Sequence, residues 1–297
     1  MVVVFTKERV ERGGSMTIQW FPGHMAKARR QVTEQLPLVD IIFELADARL
    51  PESSRNPMLD EIIQAKPRLL ILTKSDLADP SMTARWIEYY ESNGQPAIAV
   101  DSFKRQNMKK IVKKAEEILH DARERMRAKG VKPRAIRAMI VGVPNVGKST
   151  LINQLANRKV ARTGGTPGVT KAQQWIRVGR EIELLDTPGI LWPKFEDQTI
   201  GQKLALTGAI KDRLLHLDDI AIFALQFFHT YYPGRMEELY KCLWSDDVVE
   251  IFDAIGHRRQ LKESDGDIDY DAVAHTIVQD VRRGKFGRYT LDRLPTE

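Results

Sequence analysis

Two rhythms of apolar and polar positions divide the chain. Up to about residue 190, short and nearly unbroken apolar runs recur at 39–45, 69–72, 97–100, 138–141, 175–178 and 182–185. Runs this short, bounded by turn formers, predict strands covered on both faces, as in a mostly parallel sheet. The polar-apolar stretches between them, such as LINQLANR after residue 150, read as helices on the two faces of that sheet. Beyond residue 195 the spacing changes to threes and fours, and helices are expected over 200–210, 219–231, 236–243, 246–255 and 270–283. The YYPG at 231–234 breaks two of them. Phe223, Phe227, Phe228, Tyr231 and Tyr232 recur on one of these helices, more in keeping with a core stripe than with a stacking platform.

The fold class is therefore α/β, with a mostly parallel sheet flanked by helices over residues 16–193 and a small all-helical C-terminal domain over 194–297. Residues 1–15, MVVVFTKERVERGGS, are left out of the fold as an upstream start or an added extension. A single cysteine, Cys242, provides neither a disulfide framework within the chain nor a zinc cluster. No apolar stretch approaches the ~18 to 20 residues of a membrane span, and no signal peptide is evident, so a cytoplasmic, monomeric protein is expected.

Chemistry concentrates in the first domain. GVPNVGKST at 142–150 has the form G-x-x-x-x-G-K-[ST], with an apolar strand before it and a helix after it, which is the context in which this motif cradles phosphates. Gly142 and Gly147 let the backbone curl so that amides along Asn145, Val146, Gly147, Lys148, Ser149 and Thr150 form a nest for the β- and γ-phosphates. The positive end of the helix lies behind them. Lys148 would neutralise phosphate charge, and Ser149 would offer a hydroxyl to Mg²⁺.

DTPG at 186–189 closes a second strand, where Asp186 can hold Mg²⁺ through a water and the Gly189 amide can touch the γ-phosphate. Between these motifs runs RTGGTPGVTK, 162–171, too rich in glycine and proline for helix or central strand. It suits a switch that orders on the γ-phosphate, with Thr170, or alternatively Thr166, completing the metal shell; a plain surface loop has the same composition.

TKSD at 73–76 follows the strand at 69–72. Asp76 can accept from guanine N1–H and N2–H₂, which adenine does not supply, and the stem of Lys74 can lie along the purine. By itself T-K-x-D is also an ordinary helix start. Asp101 and Ser102 end the next strand, where backbone amides could meet guanine O6.

The order of these motifs is unusual, because the base-reading TKSD precedes the phosphate loop and no [NT]-K-x-D follows Gly189. A GTPase so arranged is circularly permuted. The set of WFPGHM at 20–25, DARLP at 47–51, TKSD, GVPNVGKST, TPGVTK and DTPG resembles the bacterial ribosome-biogenesis GTPase A family, the YlqF type of permuted GTPase, over essentially residues 17–297. The resemblance implies binding of GTP and GDP with Mg²⁺, association with the large ribosomal subunit through rRNA and ribosomal proteins, and release on hydrolysis.

Several positions bear on that expectation. Thr73 stands where GTPases usually carry an asparagine that braces the base-reading loop, so guanine preference with weakened affinity is expected. Ile190 follows DTPG where many GTPases place a glutamine that orients the attacking water, which an aliphatic chain cannot do. Potassium held at Asn145, as in related GTPases, is one substitute, and His24 in WFPGHM, reaching the phosphates from outside the core, is another. A surface or RNA-facing histidine is an equal reading of His24.

Net charge is +6 with a sequence pI near 9.3, which fits an acidic partner without identifying one. From 101 to 137 there are 13 Lys or Arg against 5 Asp or Glu, much of this in KKIVKKAEEILHDARERMRAKG. That segment reads as the connector the permutation requires, with a basic face for RNA phosphates, although a solvated helix laced with ion pairs has the same composition. Lys27, Arg29 and Arg30, and Arg282, Arg283, Lys285 and Arg288, form two further basic clusters. Two other functions fit the motifs: a GTPase of another pathway such as tRNA modification, and a nucleotide-gated RNA-binding module with little turnover.

Overall fold

The computed structural model describes residues 22–63, 66–101, 108–132, 134–161, 174–191, 197–212 and 215–295. Two compact units emerge, one of Gln19–Lys194 with Asp292–Glu297, the other containing Phe195–Leu291.

In the first unit α1 (Pro22–Gln35) precedes β1 (Ile41–Asp47), followed by α2 (Pro57–Ile63), β2 (Arg68–Thr73), α3 (Pro80–Ser92) and β3 (Ala97–Ala99). Next come α4 (Met108–Ile118), α5 (His120–Ala128), β4 (Ile136–Gly142), α6 (Lys148–Leu155), β5 (Gln174–Val178) and β6 (Ile182–Asp186). The strands form one sheet in the order β3-β2-β1-β4-β6-β5, parallel throughout except for β5, which runs antiparallel to β6.

That order positions the site. The chain winds outward from β1 through β2 to β3, then returns to lay β4 on the other side of β1 and winds outward again. Parallel sheets open a crevice at the carboxyl ends of strands where the winding reverses. Here it lies between β1 and β4, where Leu45 stands in register with Gly142.

Every residue of β1 is buried, as expected for a central strand with both faces covered. Ile42 packs with Val32, Leu59, Ile63, Met139, Leu185 and Ile190. Toward β3, Leu70 and Leu72 pack with Met82, Trp86, Tyr90 and Leu294. Helix α3 starts where a proline follows a capping acid: the Asp79 carboxylate accepts from the amides of Ser81 (2.9 Å) and Met82 (3.2 Å), with Pro80 in the first turn. TKSD is thus a turn ahead of that helix rather than its start.

The long basic pattern after β3 divides at Leu119. Helix α4 buries Ile111 and Ala115, whereas α5 buries no side chain and relies on surface pairs such as Arg127 with Glu124.

The second unit comprises α7 (Gln198–Leu206), α8 (Leu217–Tyr231), α9 (Arg235–Tyr240), α10 (Val248–Arg259) and α11 (Tyr270–Arg282). Aspartates cap three of them: Asp197, Asp247 and Asp269 accept from the amides of Thr199, Val249 and Ala272. Helix α8 carries the core, burying Ile220, Ala224, Phe227 and Phe228, with the Phe228 ring stacked on Phe286 at 4.3 Å. Of the aromatic stripe, Phe227, Phe228 and Tyr232 are buried and Tyr231 is half exposed.

The C-terminal basic cluster is partly consumed by the fold. Arg282 makes a bidentate pair with Asp212 (2.9 and 2.8 Å) and also donates to the carbonyls of Ala205 and Leu206 at the end of α7, while Lys285 pairs with Asp280 at 2.7 Å.

After Leu291 the chain rejoins the first unit. The Asp292 carboxylate, buried, accepts from the amides of Glu52 (2.9 Å) and Ser53 (2.7 Å) and from the Ser53 hydroxyl (2.6 Å), and Leu294 enters the cluster around Trp86. Where patterning alone runs the helical domain to residue 297, the contacts make it an insertion, with chain of the first unit on both sides.

Candidate functional site

The carboxyl ends of β1, β2, β4 and β6 bring the motif residues together, and a set of cross-contacts locks them into one site. Glycine is required where Gly142 leaves β4, since a Cβ there would meet the Leu45 carbonyl oxygen of β1 at 2.6 Å. The loop then turns through Asn145 at φ +59° and reaches α6, whose first residue is Lys148. A non-glycine residue in the left-handed region carries strain that the surroundings must hold.

Two side chains from TKSD hold it. The buried Thr73 hydroxyl donates to the Val146 carbonyl at 2.5 Å, with the Ala46 carbonyl also within reach at 3.1 Å. The Lys74 ammonium donates to the Asn145 carbonyl at 2.8 Å and to Asp47 at 2.9 Å. Thr73 therefore supplies the brace whose loss was expected when asparagine is absent from this position: a shorter side chain still reaches the phosphate loop because β2 and the loop run close together. Burial holds the Lys74 amine below its ordinary pKa against the pull of Asp47.

Asp47, from the DARLP segment, is the hub of this corner. Burial alone would raise its pKa, but the Arg49 guanidinium and Lys74 ammonium hold it well below the ordinary carboxylate range. Arg49 clamps it through Nε at 2.9 Å and Nη2 at 2.7 Å, and the Asp47 amide donates to Ser54 Oγ at 2.8 Å. Sequence reasoning reached DARLP only through resemblance, because nothing local in it signals that Asp47 grips the lysine of TKSD.

Asp76 is half-buried, and its Oδ1 has no hydrogen-bond partner among the described residues. Desolvation, and secondarily the Asp101 carboxylate, raise its pKa. An acceptor without a donor suits a ligand edge that brings N–H groups, as guanine does. Asp101 follows β3 beside the TKSD turn, where the Ser75 amide donates to the Val100 carbonyl at 3.2 Å. Ser102 lies outside the described residues.

Lys148 is buried with its Nζ on the carbonyls of Gly142 (2.9 Å) and Val143 (2.8 Å). Burial lowers its pKa to about 8, with the Asp186 carboxylate acting the other way. DTPG closes on the same loop: a Cβ at Gly189 would meet Pro144 Cα at 2.7 Å and Lys148 Nζ at 3.1 Å. The Gly189 backbone therefore abuts the lysine that would meet the phosphates. Asp186 is buried, its neighbour Thr187 donates to the Ile140 carbonyl at 2.6 Å, and Ile190 donates its amide to the Gly142 carbonyl at 3.2 Å.

Ser149 and Thr150 occupy the first turn of α6. A serine hydroxyl and a buried carboxylate, both oxygen donors, make a suitable set for Mg²⁺. Thr166 and Thr170 lie outside the described residues, and His24 falls in the first turn of α1 with its side chain likewise undescribed.

A parallel sheet with its winding reversal at a GxxxxGKS loop, a TKSD turn braced onto that loop through Thr73 and Lys74, and a DTPG turn against its lysine define a P-loop GTPase, here circularly permuted. Residues 137–243, beginning with β4, match the family model described as 50S ribosome-binding GTPase. A protein named Ribosome biogenesis GTPase A from Priestia megaterium is 58% identical over 279 residues, 93% of this chain and 97% of that one. A protein of the same name from Bacillus cereus is 55% identical over 278 residues, 93% and 94% of the two chains. The crystal structure of GNP-bound YlqF from T. maritima superimposes with a TM-score of 0.65 at 26% identity, covering 90% of this chain and 98% of that one. The chain belongs to the ribosome biogenesis GTPase A family, and it is a GTPase that binds guanine nucleotide.

Proposed function

We propose that this GTPase acts as an assembly factor for the large (50S) ribosomal subunit, binds rRNA and is released when GTP is hydrolysed. The observation that carries the reading is the convergence of Thr73, Lys74, Gly189 and Lys148 on one phosphate loop at the sheet's winding reversal. In it, Asp76 reads guanine, with the amides near Asp101 and Ser102 at O6, and the amides from Asn145 to Thr150 cradle the phosphates.

Lys148 neutralises charge that builds on the transferring phosphoryl group, and Gly189 donates its amide to the γ-phosphate. Ser149 and Asp186, with Thr170, would hold Mg²⁺, which neutralises phosphate charge when bound. Asn145 is the place for potassium. The Ile190 side chain, aliphatic and 3% exposed, does not orient the attacking water, which leaves potassium at Asn145 or a group from outside the core. His24 is our assignment for that group.

Helix α5, without a buried residue and rich in arginine, supports an rRNA-phosphate contact. No helix of the described residues is long and apolar enough to cross a membrane, and we assign a cytoplasmic monomer.

GTP turnover measured alone, with purified large subunits and with small subunits, in potassium and in sodium, tests the reading. Stimulation specific to large subunits supports it. Equal turnover with every particle, mature or immature, refutes the partner. The buried Ile190 also favours a second reading, a nucleotide-gated RNA-binding module with little turnover, which predicts GTP-dependent RNA binding without stimulated hydrolysis.

A further inference from the structure

Ile190, the residue after DTPG, is held on three sides. Its amide bonds the Gly142 carbonyl, its side chain is buried among Ile42, Leu59 and Leu185, and its carbonyl accepts from Asn56 Nδ2 at 3.2 Å. Asn56 is itself 2% exposed and lies 134 residues earlier in the chain. Its Oδ1 accepts from the Met58 amide at 3.0 Å, capping α2, so one side chain joins the start of a helix to the turn that abuts Lys148.

The residue before Asn56 is tied to the central strand. Arg55 donates to Glu44 through Nε at 3.0 Å and Nη2 at 3.3 Å, and Glu44 is a buried carboxylate in the middle of central strand β1, also paired with Arg68 at 3.0 Å. Breaking this pairing would leave the buried Glu44 carboxylate without its counter-charges, which is costly. The pairing sets the point from which Asn56 reaches Ile190.

We propose that Asn56 is a positioning residue for the GTP-bound state, holding Ile190 and thereby the Gly189 amide at the γ-phosphate. The proposal rests on the nucleotide site as read above. Aliphatic Ile190 acts through its backbone and its burial: with no side chain to hold water, its place is to fix the turn, and Asn56 completes the fixing. GDP has no γ-phosphate, so loss of this bond discriminates between the two nucleotides.

Asn56→Ser and Asn56→Asp separate positioning from capping, since serine and aspartate both cap helices well. Serine falls short of Ile190, and aspartate sets an oxygen anion against its carbonyl. Affinities for GDP and a non-hydrolysable GTP analogue, with kcat and KM for GTP and thermal melting, are measured for both variants, with Lys148→Ala as a control. For Asn56→Ser the expected result is GDP affinity within about twofold of wild type and analogue affinity or kcat lowered about threefold to tenfold, the range for one hydrogen bond; Asn56→Asp should lose more. Wild-type analogue affinity and kcat in both variants, or parallel losses for GDP and analogue, would overturn the proposal. If Lys148→Ala binds both nucleotides like wild type, the reading of the site itself has failed.

Discussion

Replacing Thr73 by valine removes one hydroxyl and keeps the side chain's shape. The position is fully buried at the end of β2, and the hydroxyl satisfies the Val146 carbonyl at 2.5 Å. Without it a buried carbonyl in the phosphate loop loses its donor, at a cost of about 1–3 kcal/mol. How that cost divides follows from the loop's shape. Val146 lies between Asn145 at φ +59° and Gly147 at φ +107°, so the free loop can relax once the brace is gone and must be re-ordered to bind phosphates. Whatever part is deferred to binding appears as weaker affinity, about tenfold for each 1.4 kcal/mol. We expect Thr73→Val to weaken GDP and GTP equally, by about fivefold to fiftyfold, and to leave the preference for guanine over adenine unchanged because Asp76 is untouched. Thr73→Ser, which keeps the hydroxyl, should bind nearly as wild type. Titration calorimetry with GDP, GTP analogue and ADP, paired with thermal melts, reads both shares. If Thr73→Val alters neither affinity nor melting temperature, the brace does not operate, and the expectation of weaker binding from a missing asparagine is restored.

Three further outcomes are expected. Asp76→Asn should lower GTP affinity at least tenfold while leaving ATP binding as weak as before, and equal loss for both nucleotides would deny Asp76 its base-reading role. Lys148, with a folded pKa of about 8 against an unfolded value near 10.4, sheds its proton first in the folded protein. Its contribution to nucleotide-free stability therefore increases as pH rises from about 8 to 10.4 and is lost as pH falls through 8. Phosphates favour the charged amine, so GDP binding should take up a proton above pH 8 and weaken there; calorimetry in buffers of different ionisation enthalpy checks this, and an unchanged slope in Lys148→Ala would assign it elsewhere. Asp292→Ala should destabilise the first unit by about 3 kcal/mol, because two amides and a hydroxyl lose a buried acceptor. A change below about 0.5 kcal/mol in urea denaturation would show that the tail does not hold.

Much of the molecule is legible from neighbouring residues. Each expected strand is present: β2, β4, β5 and β6 run one to three residues longer, where polar ends such as Arg68 and Thr73 or Asp186 still pair in the sheet, β3 stops one residue early at Ala99, and β1 lies two residues later, at Ile41–Asp47. The helices of the second unit overlap the expected spans, but α7 ends at Leu206 rather than 210, α10 runs on to Arg259 rather than 255, and α9 stops at Tyr240, short of residue 243, as Lys241 takes φ +53°. Charge was read less well than hydrophobicity: sequence counts Arg282 and Lys285 as basic surface, but cannot see that Asp212 and Asp280 claim them.

What the sequence by itself determined is the chemistry of local segments: apolar runs that must be buried, glycines that permit the phosphate loop, an aspartate suited to guanine, and the permuted order of the motifs. These follow from residue type and from neighbours a few positions away. Only the tertiary structure decided how the motifs are held together. Thr73 to Val146, Asn56 to Ile190 and Asp292 to Ser53 span 73, 134 and 239 residues, and each is a polar pair with no periodic signature. Such pairs form because the sheet order first brings their backbones within reach, and a buried polar group must then find whatever partner the fold has delivered.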